Sequence, residues 1–170
     1  AGPRAFFPRG AVCRRRTSET GAGHWGTWLS VAGSPFDIDV TVFQVRVSYN
    51  QRPYRRAVME TYGANCVASP SEMTEFGRRV LGENPDHTGS LGIAISEAVE
   101  LAVQDPHTKY ALGSVLNHVL LHQTVIGLES LKQMEMADCW PDVIVGLTGG
   151  GSQFAESAVG VAGPGCGRLS

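Results

Sequence analysis

The stretch that decides the fold is DVTVFQVRVSYNQRPYRRAVMETYGANCVASP, residues 39–70. Residues 40–45 are β-branched and apolar, which is typical of a buried strand. Pro53 suits the first turn of a helix, and Gly63 suits its end. Residues 66–68 then predict a second short strand. The inner stripe expected for the helix consists of Tyr54, Ala57, Val58 and Thr61.

The same alternation continues along the chain. We expect a helix over residues 71–81 capped by Ser71, a loop over 83–89, a helix capped by Ser90, a strand end at 110–113 and a long helix over 117–137. Residues 142–147 predict a buried strand that runs into a glycine turn. Alternating helices and apolar strands indicate an α/β fold, a three-layer open and mainly parallel sheet. The apolar residues expected to face inward on the three helices are Phe76, Val80 and Leu81; Leu91, Ile95, Ala98 and Ala102; and Leu121, Val125 and Leu128.

Composition and charge favour an ordinary globular protein. Of the 170 residues 42% are hydrophobic and 18% charged, and the formal net charge of −2 gives no general attraction to nucleic acid or to an anionic membrane. No segment is apolar over the length of a membrane span. The four cysteines show no zinc-ligand spacing, and His118 with His122 lacks a third ligand, so we expect no metal. Reduced cysteines suit a cytoplasmic protein.

Two glycine loops carry the chemistry. ETGAGHWG at residues 19–26 leads into an apolar helix that contains Trp28, Leu29 and Val31, and GGGSQ at residues 149–153 follows the last predicted strand. A glycine turn that opens a helix presents backbone N–H groups to an anion. Two such loops, one with a carboxylic acid, suggest a ligand with two anionic ends, such as a phosphorylated cofactor joined to an amino acid. Either loop is also compatible with a purely structural turn.

These motifs resemble those of tryptophan synthase beta chains, which are pyridoxal-phosphate enzymes. ETGAGHWG is similar to their substrate-carboxylate loop ETGAGQWG, and GGGSQ is similar to their phosphate loop GGGSN. The resemblance to the divergent second group of beta chains runs over residues 5–155. It is carried between the loops by VRVSY (45–49), PYRR (53–56), YALGSVLNH (110–118) and HQTVIGLE (122–129).

The resemblance implies a role for each matching residue. Glu19 would be the acid/base carboxylate that assists loss of the β-substituent and positions indole. The substrate carboxylate would be bound by Thr20, Gly21, Ala22, Gly23, His24 and Trp25. The cofactor would be held by Gly113, Ser114, Gly149, Gly150, Gly151, Ser152 and Gln153, with pyridoxal phosphate as the electron sink. Two simpler interpretations stay open: Glu19 as a helix-start carboxylate, and Trp25 and Trp28 as packing residues.

The sequence departs from the family pattern in three places. His24 replaces the usual Gln, and Gln153 replaces the usual Asn. The family's cofactor-binding lysine lies in a His-Lys pair that does not occur here, because Lys109 and Lys132 are the only lysines. We therefore expect an internal segment of such an enzyme, inactive by itself and binding the cofactor non-covalently at best. Its expected parts are a partial N-terminal mobile domain (1–137), the first strand and phosphate loop of the cofactor domain (138–158) and an irregular tail (159–170).

The function predicted from the resemblance is β-replacement, in which L-serine and indole give L-tryptophan. A different class of function is a non-catalytic module that binds a phosphorylated ligand or a partner chain. A nucleotide-binding domain ranks last, because the sequence contains neither GxGxxG with a downstream acid nor GxxxxGK[ST]. The expected partners are the amino acid, indole, a second copy of the chain through self-association, and an alpha-type subunit.

Overall fold

A computed structural model of the chain describes residues 14–146, 151, 153 and 154. The chain divides into two compact units, Ala1–Leu112 and Gly113–Ser170. The boundaries expected at residues 137 and 158 stay predictions.

The first unit contains a parallel sheet of four strands in the order β3-β2-β1-β4. The strands are β1 (Arg15–Thr20), β2 (Asp39–Val45), β3 (Asn65–Ser69) and β4 (Thr108–Tyr110). In the register of β1 with its neighbours, Glu19 lies beside Phe43 and Thr17 beside Tyr110. Because all four strands are parallel, their carboxyl ends meet at one edge of the sheet, where α/β proteins place ligands.

Helices cover both faces of this sheet. On one face α1 (His24–Gly33) and α3 (Pro53–Thr61) enclose a core that includes Leu29, Val42 and Met59. On the other face α5 (Leu91–Gln104) packs Ala94 and Ala98 against Phe43. Two further helices, α2 (Arg46–Gln51) and α4 (Glu75–Glu83), follow β2 and β3. The predicted three-layer α/β architecture is confirmed.

The inner face predicted for α3 is wrong. Its predicted stripe of Tyr54, Ala57, Val58 and Thr61 is exposed. Met59 is fully buried instead, with the half-buried Arg55 and Arg56 one turn before it. Arginine stems pack against apolar surface while their charged ends reach water, so the buried face contains residues that a hydrophobicity pattern counts as polar.

The helix after β3 begins later than predicted. Thr74, not Ser71, is its N-cap and accepts a hydrogen bond from the Gly77 amide at 3.0 Å. Phe76, Val80 and Leu81 are half-buried. The cap predicted for α5 is confirmed, because the Ser90 hydroxyl oxygen accepts from the Ile93 amide at 3.3 Å. On the predicted face of α5 Ala98 is buried, while Leu91, Ile95 and Ala102 are half-buried.

The second unit differs most from the prediction. The helix expected over residues 117–137 is present as α6 (Asn117–Gln123) and α7 (Val125–Ala137), interrupted at Thr124. The Thr124 hydroxyl donates to the Leu121 carbonyl at 2.7 Å, a local bond of the kind that competes with regular helix geometry. The stripe predicted to face inward is exposed, with Leu121 at 71%, Val125 at 48% and Leu128 at 53%.

The strand predicted over residues 142–147 is also wrong. Residues 142–146 form no strand, and Val145 is 89% exposed. Among the described residues, no helix combines the length and apolar character needed to cross a lipid bilayer.

Candidate active site

The site is built on β1, a strand whose sequence RRTSET is polar and yet buried from Thr17 to Thr20. Hydrogen bonds make this burial tolerable. The Thr17 hydroxyl donates to the Ala98 carbonyl at 2.8 Å, and the Ser18 hydroxyl donates to the Ala111 carbonyl at 2.5 Å. The strand therefore brings polar side chains to the carboxyl edge of the sheet without leaving them unsatisfied.

Glu19 is the last residue but one of β1 and is 2% exposed. Its side chain is on the α5 side of the sheet, and its Oε2 accepts a hydrogen bond from the Tyr110 hydroxyl. Burial, then the hydrogen bond and charge of Glu19, raise the pKa of Tyr110 far above its ordinary value. Tyr110 therefore stays protonated and can donate at any physiological pH.

The glycine loop after β1 has the geometry of an anion cradle. Gly23 has φ +99° and stands directly before the ten-residue helix α1, which no side chain caps. A Cβ at Gly23 would lie 3.0 Å from the Cβ of Arg55 and 3.2 Å from Nε2 of Gln44, whereas a Cβ at Gly21 would meet nothing within 4 Å. The backbone is thus tightly packed at Gly23 and open at Gly21, where a ligand can approach the first amides of the helix.

Two side chains fix the loop to the sheet. Nε1 of Trp25 donates to the Ser18 hydroxyl oxygen at 2.7 Å, and the Thr20 hydroxyl oxygen accepts from the Gly26 amide at 3.3 Å. Ala22 and His24 are exposed. Trp25 is half-buried, and Trp28 is 61% exposed. The structure thus brings Glu19 and residues 20–25 together as one continuous site.

The predicted cofactor residues are placed only in part. Gly149, Gly150 and Ser152 lie outside the described residues. Gly151 has φ +97° and open space where a Cβ would be, as a glycine turn requires. Gln153 is exposed, and Gly113 and Ser114 precede α6 in the second unit. The substrate-carboxylate set and the phosphate set therefore both stay predictions.

Three neighbours of the candidate site were not predicted from the sequence, namely Ser18, Gln44 and Tyr110. Gln44 is fully buried on β2, and its Nε2 has no hydrogen-bond partner among the described atoms. The sequence signal for Gln44 was a glutamine inside an otherwise apolar strand. No comparable signal marked Tyr110, because its contact with Glu19 spans 91 residues.

Metal ligands, lysines and thiols are the other groups that could carry chemistry. In the described part of the chain no three His, Cys, Asp or Glu residues are grouped as a metal site would need. Lys109 and Lys132 are both exposed. The free thiol of Cys66 is buried and that of Cys139 is exposed.

Solved structures share this architecture with the chain. The hydrogen sulfide-producing enzyme of Fusobacterium nucleatum matches 93% of the chain with a TM-score of 0.63 at 20% identity, and the chain covers 42% of it. The T.th. threonine deaminase matches 92% of the chain with a TM-score of 0.57 at 19% identity, and the chain covers 46% of it. The fold is that of the fold-type II pyridoxal-phosphate enzymes.

Sequence relatives are more similar to the chain than these solved structures are. The chain is 58% identical over 150 residues to tryptophan synthase beta chain 2 of Methanothermobacter thermautotrophicus and 59% identical over 151 residues to that of Aquifex aeolicus. These matches cover 88% and 89% of the chain and 35% of each relative. No family model matches the chain. The chain is thus homologous to the second group of tryptophan synthase beta chains, of whose length it spans about a third, and the resemblance is confirmed.

Proposed function

We propose that this chain supplies the amino-acid-binding part of a pyridoxal-phosphate enzyme that joins L-serine and indole to give L-tryptophan. The observation that carries the proposal is the adjacency of the Glu19 carboxylate, the positive-φ turn at Gly23 and the uncapped N-terminus of α1. The relatives support the proposal, because proteins more than half identical to the chain are named tryptophan synthase beta chain 2.

Each group of residues in this proposal has its own chemical role. Backbone amides at residues 21–25 bind the substrate carboxylate, assisted by the positive end of α1. Glu19, held beside this loop, donates a proton to the departing β-hydroxyl group and accepts one from the indole that replaces it. Bound pyridoxal phosphate supplies the electron sink for the amino acid. The predicted phosphate residues are Gly149, Gly150, Gly151, Ser152 and Gln153, with Gly113 and Ser114.

A titration with L-serine tests the loop directly. We expect the backbone amide resonances of residues 21–25 in the ¹⁵N-labelled chain to shift saturably with L-serine but not with L-serine methyl ester, which lacks the carboxylate. Gly23→Ala should lose the response, because its Cβ is strained by φ +99° and crowded by Arg55. Gly63→Ala is the matched control, since Gly63 has φ +80° but open surroundings. Equal responses to both ligands contradict the proposal.

We also propose that these 170 residues alone form no tryptophan, because neither lysine stands at the family's position. Reconstitution with pyridoxal phosphate, indole and L-serine should leave the visible spectrum without the band of a lysine-bound cofactor and yield no tryptophan. Product formation contradicts this part of the proposal. Saturable binding of phosphate-bearing ligands without an L-serine response favours the binding module instead.

Self-association with a second copy completes the proposal, and an alpha-type subunit is the other partner that the family implies. The exposed apolar side chains Leu121, Val125 and Leu128 support self-association, since large exposed apolar patches mark contact surfaces. Light scattering should therefore give a mass above that of one chain. A single-chain mass at high concentration contradicts it.

A further inference from the structure

Tyr110 and Glu19 come from strands that pair directly and meet on one face of the sheet. Tyr110 of β4 is in register with Thr17 of β1, and Glu19 is two residues further along β1. Residues two apart in a strand share a face, so the phenol lies diagonally across from the carboxylate and reaches it. The result is the hydrogen bond from the Tyr110 hydroxyl to Oε2 of Glu19.

Buried apolar side chains pack against Tyr110. Phe43, Ala94 and Ala98 are fully buried in the cluster against which Tyr110 packs, and Phe43 lies beside Glu19 in the sheet. Burial disfavours an ionised carboxylate, whereas a hydrogen bond donated to it favours the ionised form. Loss of the phenol would remove one interaction that favours the ionised carboxylate, so Glu19 would keep its proton to a higher pH.

We propose that Tyr110 is a positioning residue for Glu19, whose hydroxyl fixes the orientation of the carboxylate and stabilises its ionised form, the form that accepts the proton from indole. The inference rests on the proposed function, from which Glu19 takes its acid/base role. Tyr110 needs no contact with substrate for this, because it acts through the carboxylate alone.

Other charged groups on the neighbouring elements are engaged elsewhere. Glu97 of α5 accepts from the loop after β3, and Glu100 accepts from the amides of Glu75 and Phe76. Lys109 is exposed, and its side chain is on the opposite face of β4 from Tyr110. The remaining charged groups of the described β1, β2, α1 and the α5–β4 turn are Arg15, Arg16, Asp39, His24, Asp105 and His107. Glu19 is the one charge that contributes to the raised pKa of Tyr110.

The test is a carboxyl NMR titration of the full chain labelled with ¹³C-glutamate. Glu19→Gln assigns the Glu19 resonance by its loss. In Tyr110→Phe the titration midpoint of Glu19 should move up by about one pH unit, the equivalent of one charge-assisted hydrogen bond. Tyr49→Phe is the matched control, because the Tyr49 hydroxyl accepts from Arg56 at 2.8 Å and does not contact Glu19.

A reciprocal measurement keeps the inference testable if Tyr110→Phe fails to fold. In Glu19→Gln the tyrosinate absorption should report one tyrosine that ionises at lower pH than in the parent chain, because the negative neighbour is gone. An unchanged Glu19 midpoint in a folded Tyr110→Phe, an equal shift in Tyr49→Phe, or an unchanged tyrosine titration in Glu19→Gln overturns the inference. These outcomes do not depend on L-serine, so they are distinct from failure of the proposed function.

Discussion

The indole Nε1 of Trp25 donates a hydrogen bond to the Ser18 hydroxyl oxygen at 2.7 Å, while the same hydroxyl donates to the Ala111 carbonyl at 2.5 Å. Ser18 therefore joins three parts of the first unit: the interior of β1, the first turn of α1 and the chain after β4. The glycine loop between β1 and α1 is held at both ends by this connection.

Ser18→Ala should destabilise the first unit by about 2 kcal/mol, because it leaves the indole N–H and the Ala111 carbonyl without their partner. Urea unfolding followed by tryptophan fluorescence measures the loss. Ser96→Ala is the control, since the Ser96 hydroxyl donates only to the Gly92 carbonyl of its own exposed helix turn. Equal stability of the two variants contradicts the role given to Ser18.

A second polar centre lies under the loop after β3. Glu97 of α5 is fully buried. Its Oε1 accepts from the Ser71 amide at 3.0 Å, the Ser71 hydroxyl at 2.6 Å and the Thr74 hydroxyl at 2.8 Å, and its Oε2 accepts from the Ser69 hydroxyl. One carboxylate thus satisfies four donors, and it explains why Ser71 does not cap the helix.

Glu97→Gln should therefore cost about 3 kcal/mol, because an amide offers one acceptor oxygen in place of two and loses the charge. Hydrogen exchange should accelerate at the amides of residues 71–77. Glu100→Gln is the control one turn further along α5, where the carboxylate is half-buried and accepts from two amides. If the two variants lose the same stability, the buried network is not what holds the loop.

Sequence patterns predicted the elements that hydrophobicity governs. The segment from Val40 to Ser69 contains the two predicted strands and the helix predicted from Pro53, because burial on both faces of a parallel sheet leaves apolar runs in the sequence; α2 was not predicted. β1 was missed because its burial depends on hydrogen bonds to Ala98 and Ala111, which are distant in sequence. The glycine loop of the candidate site could be recognised from the sequence, because its residues are contiguous. Tyr110 and Gln44 could not be recognised, because their neighbours are set by strand order.

Close packing of α1 against the sheet leaves no room for a side chain at Gly26. A Cβ there would lie 2.7 Å from Cγ1 of Val42 and 2.8 Å from Sδ of Met59. Gly26→Ala should cost about 1–3 kcal/mol through overpacking. Gly82→Ala, at an open helical position, should instead stabilise by about 0.5–1 kcal/mol. Thermal unfolding of both variants checks the opposite signs, and a stabilised Gly26→Ala would contradict this packing.

The buried thiol of Cys66 gives the first unit a pH-dependent stability. Burial, assisted by the negative charge of Glu60, raises the pKa of Cys66 to about 12 from 9.0. Between these two values the unfolded chain has released the thiol proton and the folded chain has kept it, so the free energy of unfolding falls as pH rises through this window. Below the lower value both states hold the proton, and Cys66 adds no slope.

Cys66→Ala should therefore lose stability less steeply than the parent chain under alkali, in urea unfolding repeated across the window. Cys139→Ala, at an exposed thiol, should follow the parent slope. Parallel curves for the parent and Cys66→Ala would show that the Cys66 thiol ionises as readily in the folded chain as in the unfolded one.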